Sequence, residues 1–199
     1  RWNVHKRYLR ALEAGGLAVT PTLWFTCGES ADLAPARARG WQDVVIKPSV
    51  SAGSFATRRF GAHEAADAER FLSSLVAERD VMVQPYVAAV ARGGERALVW
   101  IDGEVTHAVA KQPRFAADAE AVSPATAPTP AEREFVAQTL ALVPPPLRET
   151  LLYARVDVFV GEDGSLMLSE LELVEPSLFL AQHPPALAAL VEAVRRRRG

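Results

Sequence analysis

Asp157, Glu170 and Glu172 fall in two apolar stretches, Leu151 to Val160 and Leu166 to Val174, on either side of Gly161-Glu162-Asp163-Gly164. Side chains alternate along a strand, so residues two apart share a face. Tyr153, Arg155, Asp157 and Phe159 then occupy one face of the first stretch, and Ala154, Val156, Val158 and Val160 the other. In the second stretch Leu168, Glu170 and Glu172 share a face, opposite Met167, Ser169, Leu171 and Leu173. With a turn near 161–165, positions 157 and 170, 13 apart, stand near one another across a hairpin. Carboxylates gathered this way repel, and partial burial raises the cost. Something positive must therefore be close. Oxygen donors without His or Cys suit a hard cation, magnesium before calcium and well before zinc. The alternative is that the acids face solvent or pair with Arg155.

Lysine usage nominates further positions. Of 22 basic side chains only Lys6, Lys47 and Lys111 are lysines, which leaves 19 arginines. Lysine is a compact point charge and arginine a wide planar fork, so these three sites are candidates for places where a fork does not fit. Lys47 closes the β-branched run Val44-Val45-Ile46 and precedes a Ser/Gly loop, Ser49 to Ser54, whose backbone amides can cradle phosphates. No G-x-x-x-x-G-K-[ST] loop is present, and a surface lysine before an ordinary hairpin turn is the competing account. Gln84-Pro85-Tyr86-Val87 ends an apolar run and is either a plain strand end or a hinge whose backbone meets a base.

The elements that must carry these residues follow from periodicity. Residues 3–14 read as a helix ended by Gly15-Gly16, and Ala18 to Phe25 as an extended piece interrupted by Pro21. A polar loop with Gly28 and Pro35 leads to the strand Val44 to Pro48, and Thr57 to Phe60 returns. His63 to Glu78 is an amphipathic helix with Phe71, Leu72, Leu75 and Val76 inward. Val81 to Val87 is a strand. Arg96 to Ile101 and Glu104 to Ala110 form a hairpin about Asp102-Gly103. Residues 112–130, rich in Ala and Pro, read as a mobile loop of the kind that covers a site. Ala131 to Leu142 is a helix, and Pro184-Pro185 opens the last one. The order implies an α+β fold: a leading helix at 1–17, a small lobe at 18–87, and a larger lobe with an antiparallel sheet at 88–199.

Composition sets limits. The chain has 199 residues, 49% hydrophobic, with net charge −2, which gives no general reason to expect nucleic acid. No run approaches the roughly 20 apolar residues of a membrane span, and no apolar signal core follows the N-terminus. Cys27 is the sole cysteine, so an internal disulfide and a cysteine-based zinc site are excluded, and a cytoplasmic setting is expected. The tail Arg195 to Arg198 reads as a solvated last helical turn that complements the helix dipole, with phosphate or an acidic partner as the other option.

In order, Asn3-x-x-Lys6, VVIKP (44–48), a Gly-containing loop, VQPYV (83–87), GERALVWIDGE (94–104) leading to Lys111, ARVDVF (154–159) and SELELVEP (169–176) resemble the ATP-grasp superfamily. The likeness is to enzymes such as bacterial glutathione synthetase, and it covers nearly the whole chain. The closing SELELVEPSLFL looks most like the subgroup that includes the ligase closing the ring of D-cycloserine. The resemblance implies two α+β lobes that grip ATP between them. It implies that Lys6 and Lys47 hold phosphates, that Ser51, Gly53 and Ser54 lie in the loop closing over them, and that Gln84, Tyr86 and Val87 bind adenine with Leu168 beneath. Asp157 and Glu170 match the magnesium carboxylates, and Glu172 falls where many relatives have asparagine. Two Mg2+ ions are implied, with Mn2+ compatible. Arg155 and Lys111 would face the transferred phosphate or the substrate carboxylate.

Departures temper the match. Relatives carry a ribose-binding acid near 94–95, where this chain has Gly94-Glu95; many also have a clearer substrate-binding arginine motif where this chain has its Pro/Ala stretch, which leaves Arg114 only a candidate. The preceding substrate-binding domain has no counterpart in these residues, so a fragment or a partner domain is expected. The implied activity is a carboxylate–amine ligase that works through an acyl-phosphate on a small amino-acid-like or peptide substrate, without nucleic acid or membrane; a homodimer is compatible. A non-catalytic ATP-binding module and a metal-dependent phosphoesterase are the competing classes. No Ser-His-Asp or Cys-His set stands out. His107, on a hairpin strand near Lys111, reads as an ordinary strand histidine before a substrate contact.

Overall fold

The structure, a computed structural model, describes residues 2–51, 53, 55–87, 94–111, 122–161 and 163–198. Two four-stranded antiparallel sheets organise it. The first has β1 (Leu23–Phe25), β2 (Val44–Pro48), β3 (Arg58–Phe60) and β4 (Val81–Pro85) in the order β1-β4-β2-β3. Its helices are α2 (Ala34–Ala38) and α3 (Ala65–Val76), whereas α1 (Tyr8–Ala14) packs into the core of the second sheet. The second sheet has β5 (Glu95–Ile101), β6 (Glu104–Lys111), β7 (Tyr153–Val160) and β8 (Leu166–Glu172) in the order β6-β5-β7-β8. With it come α4 (Pro130–Ala141), α5 (Pro145–Arg148) and α6 (Pro184–Arg198).

Alternation decides what each face of the first sheet does. Val44, Ile46, Val81 and Val83 pack with Phe60 and with Leu72, Leu75 and Val76 of α3. Each such side chain, fully buried, contributes roughly 1.5–3 kcal/mol. The opposite face carries Trp24, Met82 and Lys47 in one row and Val45 with Gln84 in the next. Met82 and Trp24 join the core of the second sheet, with Leu98, Val156 and Val158. The two sheets thus share a core, and Lys47 and Gln84 lie on the face turned toward the second sheet.

Four local features differ from expectation. Residues 2–7 are turns and α1 starts at Tyr8, while the loop around Pro35 contains α2, with proline in its first turn where its missing N–H costs nothing. Val122 and Thr126 bridge to Lys111 and Ala108, so the described end of the Pro/Ala stretch runs along β6; residues 112–121 lie outside the described residues. The Arg-rich tail is a clasp. Arg196 and Arg197 pair with Asp102 at 2.7 and 2.9 Å, and Arg197 also caps the Thr150 carbonyl at 2.9 Å. That docks α6 onto the β5–β6 turn, where Asp102 and Gly103 both have positive φ, as a tight hairpin requires.

Candidate functional site

β7 and β8 place the acids. Asp157 stands directly across from Glu170, and Arg155 from Glu172. The ladder slips between Asp157 and Val158, where Val158 pairs with Leu168 and leaves Ser169 as an extra residue on β8. This bulge corrects the expected alternation. Leu168 faces Val158 in the core with no exposure, on the side opposite Glu170 and Glu172, and offers no open surface to a base.

The acids do not stand alone. Arg155 reaches Asp157 as a fork, Nε to Oδ1 and Nη2 to Oδ2, both at 2.8 Å, and Nη2 also donates to Glu172. Lys111 Nζ donates to the second Asp157 oxygen and lies 2.7 Å from Glu95, its cross-strand neighbour. Burial alone would raise the pKa of the fully buried Asp157; Lys111 and Arg155 outweigh that and hold it below its ordinary value. Burial would likewise lower Lys111, but Asp157 and Glu95 hold it up. Glu172 goes the other way. Its burial, helped by the charges of Asp157 and Glu170, raises it to about 7 despite Arg155.

Lys6, in the turns before α1, and Lys47, on β2, complete the cluster. Lys6, only 5% exposed, donates through Nζ to the Ser51 carbonyl (3.2 Å) and hydroxyl (3.3 Å) and pairs with Glu170 at 3.2 Å. Its backbone N–H is tied to the Ser49 carbonyl at 2.8 Å. Lys47 on β2 has its pKa lowered by burial; Glu170 and Glu95 pull it up, and Lys6 and Lys111 push it down. All three lysines singled out by scarcity thus lie within electrostatic reach of one cluster.

Gln84 is buried and its amide donates to Thr22 Oγ1 at 2.9 Å. Tyr86 donates its N–H to the Asp43 carbonyl and carries the Arg59 guanidinium 3.7 Å above its ring; Val87 is half-buried beside it. Gly53 has φ +59 with open space around it, while Ser54 and Arg114 lie outside the described residues. Glu95, expected at a ribose, is held by Lys111. Arg155 also touches residues that spacing did not nominate: Nη1 donates to the Ser177 carbonyl at 3.4 Å, and the Phe179 ring lies 5.6 Å away. Phe179 has φ +47, a strained backbone that only the folded structure could disclose. His107 is buried against His183, ring centroids 4.9 Å apart, rather than at the acids.

No family model matches the chain. Among solved structures, D-alanine–D-alanine ligase from Bacillus anthracis complexed with ATP shares the fold at TM-score 0.66 and 17% identity, over 98% of this chain and 68% of that one. The ATP-grasp ligase PsnB complexed with Mg and ADP shares it at 0.64 and 21%, over 96% and 59%. The cycloserine biosynthesis protein DcsG of Streptomyces lavendulae is 33% identical over 211 residues, spanning 99% of this chain and 70% of that protein. The crystal structure of D-cycloserine synthetase DcsG gives a TM-score of 0.86, at 99% and 71% coverage. The chain belongs to the ATP-grasp ligases.

Donor chemistry decides whether the site of this ATP-grasp ligase suits a divalent cation. Among the described residues no three His, Cys, Asp or Glu side chains converge as a metal cage, and Arg155 and Lys111 both pair with Asp157. The expected acid trio is therefore shared out among cations. Magnesium, however, keeps several waters and takes one or two carboxylates together with substrate phosphates. Glu170 and Glu172, both partly exposed, meet that need.

Proposed function

We propose that this ATP-grasp ligase phosphorylates a small amino-acid-like carboxylic acid and passes the acyl group to a nitrogen nucleophile, giving an amide, ADP and phosphate. The observation that supports it best is the juxtaposition of Lys6 and Lys47 with Glu170, Glu172, Asp157, Lys111 and Arg155 where the two sheets meet. Lys6 and Lys47 are point charges for phosphate oxygens. Ser51 and Gly53 lie in the loop beside them, and Gln84, Tyr86 and Val87 line the strand end suited to the base. Glu170 and Glu172 are the magnesium ligands, joined by Asp157 when Lys111 releases it; one or two ions, or Mn2+, fit this donor set. Held there, magnesium would supply positive charge to offset the negative charge developing on the transferred phosphoryl group. Arg155 and Lys111, turned from their carboxylates toward the substrates, orient the acid for in-line attack. A substrate carboxylate oxygen bonds to the γ-phosphorus as the bond to ADP breaks. The nitrogen then attacks the acyl carbon, phosphate leaves, and the nitrogen loses a proton.

The likeness to D-cycloserine synthetase makes small amino-acid-like acids the substrates to try first. ADP release should require both an acid and a nitrogen nucleophile, and hydroxylamine should divert the acyl-phosphate to a hydroxamate. Glu170→Gln should abolish both signals. Tight ATP binding without ADP release for any pair would leave a nucleotide-binding module instead.

A further inference from the structure

β8 is the outer strand of its sheet, so one row of its backbone groups has no strand to pair with. Those groups are nevertheless satisfied, by the segment that begins the chain. Leu168 N–H donates to the Ala18 carbonyl at 2.8 Å, and its carbonyl accepts from the N–H and hydroxyl of Thr20, both at 2.9 Å. Further along, the Asn3 side chain acts as a miniature strand. Its Nδ2 donates to the Leu171 carbonyl and its Oδ1 accepts from Leu173 N–H, both at 2.8 Å. Between them Leu171 N–H donates to the Tyr8 hydroxyl at 2.9 Å. These bonds flank Glu170 and Glu172 residue by residue. They fall just beyond the Ser169 bulge, where the ladder to β7 has slipped and holds register least firmly. Tyr8 is buried, and its ring lies against Trp2 at 5.4 Å.

We propose that Asn3 and Tyr8 are positioning residues that clamp β8 so that Glu170 and Glu172 present their carboxylates to the metal-nucleotide at a fixed spacing. The same segment carries Lys6 onto Glu170, so one short stretch sets both a phosphate cation and the metal ligands. Asn3 suits this because an amide offers a donor and an acceptor side by side, as a peptide does. Both act on the backbone of Leu171 and Leu173. The inference rests on Glu170 and Glu172 being metal ligands, and its test separates the two ideas.

Free Mn2+ is measured by electron paramagnetic resonance in titrations of the whole chain with saturating ADP, and ADP affinity is measured again without metal. Asn3→Ala and Tyr8→Phe should weaken Mn2+ binding by about 10–100-fold, the range for groups that orient metal ligands. Metal-free ADP affinity should stay at the parent value. Hydrogen exchange of the Leu171 and Leu173 amides should quicken. A purely structural role would lower the melting temperature and leave Mn2+ affinity of the folded protein unchanged, which overturns the proposal. If Asn3→Ala fails to fold, Tyr8→Phe decides, since it removes one oxygen and keeps the ring. Glu170→Gln is run alongside. Should it weaken Mn2+ binding while both clamp variants do not, the clamp is wrong and the metal site stands. Should it have no effect, the metal assignment falls and the clamp proposal with it.

Discussion

Arg155→Met tests whether the buried charges hold the site together as the distances indicate. Methionine keeps an unbranched stem of similar reach and removes only the guanidinium. The loss is two 2.8 Å bonds to Asp157, one bond to Glu172 and the contact with the Ser177 carbonyl. Asp157 has no exposed surface from which water could compensate. Breaking a buried pair on one side costs about 3–5 kcal/mol. Lys111 stays on Asp157, so the expected value is at the low end, about 3 kcal/mol. In a chain of this size each kcal/mol moves the melting temperature by about 2–4 °C, so a fall of about 6–12 °C is expected. Urea unfolding followed by tryptophan fluorescence gives the free energy. The companion variant Arg155→Met/Asp157→Leu removes both charges, and the cycle should return a coupling of about 1–3 kcal/mol. An Arg155→Met protein within about 0.5 kcal/mol of the parent, the scale of ordinary surface changes, would show that the fork balances nothing.

Two further predictions concern the frame. Glu132 is buried; burial alone would raise its pKa, but the Arg96 bonds and the Thr129 amide leave it lowered. A depressed carboxyl contributes stability above its unfolded pKa and loses it as pH falls through the folded one. Urea midpoints should therefore drop on the acid limb, and Glu132→Gln should flatten that limb and cost about 1.5–3 kcal/mol at neutral pH. Gly94 has φ +73, and a Cβ there would sit 2.4 Å from the Lys111 carbonyl; Gly103 has φ +106 with nothing within 4 Å. Gly94→Ala should thus lower the melting temperature well beyond Gly103→Ala, and equal shifts would mean that the approach of β5 to Lys111 carries no constraint.

Much of the frame was legible because it is local. Asp102-Gly103 fixed one hairpin, β-branched runs fixed β2 and β4, and the pairing of Asp157 with Glu170 followed from hairpin spacing. The start of α4 was legible too, since Thr129-Pro130-Ala131-Glu132 is a capping box, and both of its reciprocal bonds form. What was not legible depends on partners distant in sequence. The Ser169 bulge is a mismatch between two strands and leaves no mark on either alone, so Leu168 was placed on the wrong face. The Asp102 clasp joins a turn to a tail 94 residues away. Asn3 was visible as part of a motif, but its work on Leu171 and Leu173 appears only when the ends of the chain meet.

The acids were expected to need a cation, and four turn out to be supplied by the chain. Lys6, Lys47, Lys111 and Arg155 face Glu95, Asp157, Glu170 and Glu172, four positive groups against four negative. A balanced cluster can form during folding without a large uncompensated buried charge. The balance also bears on binding. A bare divalent cation would have to displace Lys6 or Arg155 from a carboxylate, and a bare nucleotide would have to draw the lysines from theirs. Each step alone strands a charge. On the proposed assignment, a metal and a nucleotide arriving together would let the carboxylates hold the metal and the freed cations hold the phosphates, so that every group would exchange one partner for another. On that assignment, the ion pairs that fill the site would keep its phosphate-binding cations and metal-binding carboxylates occupied until both ligands arrive.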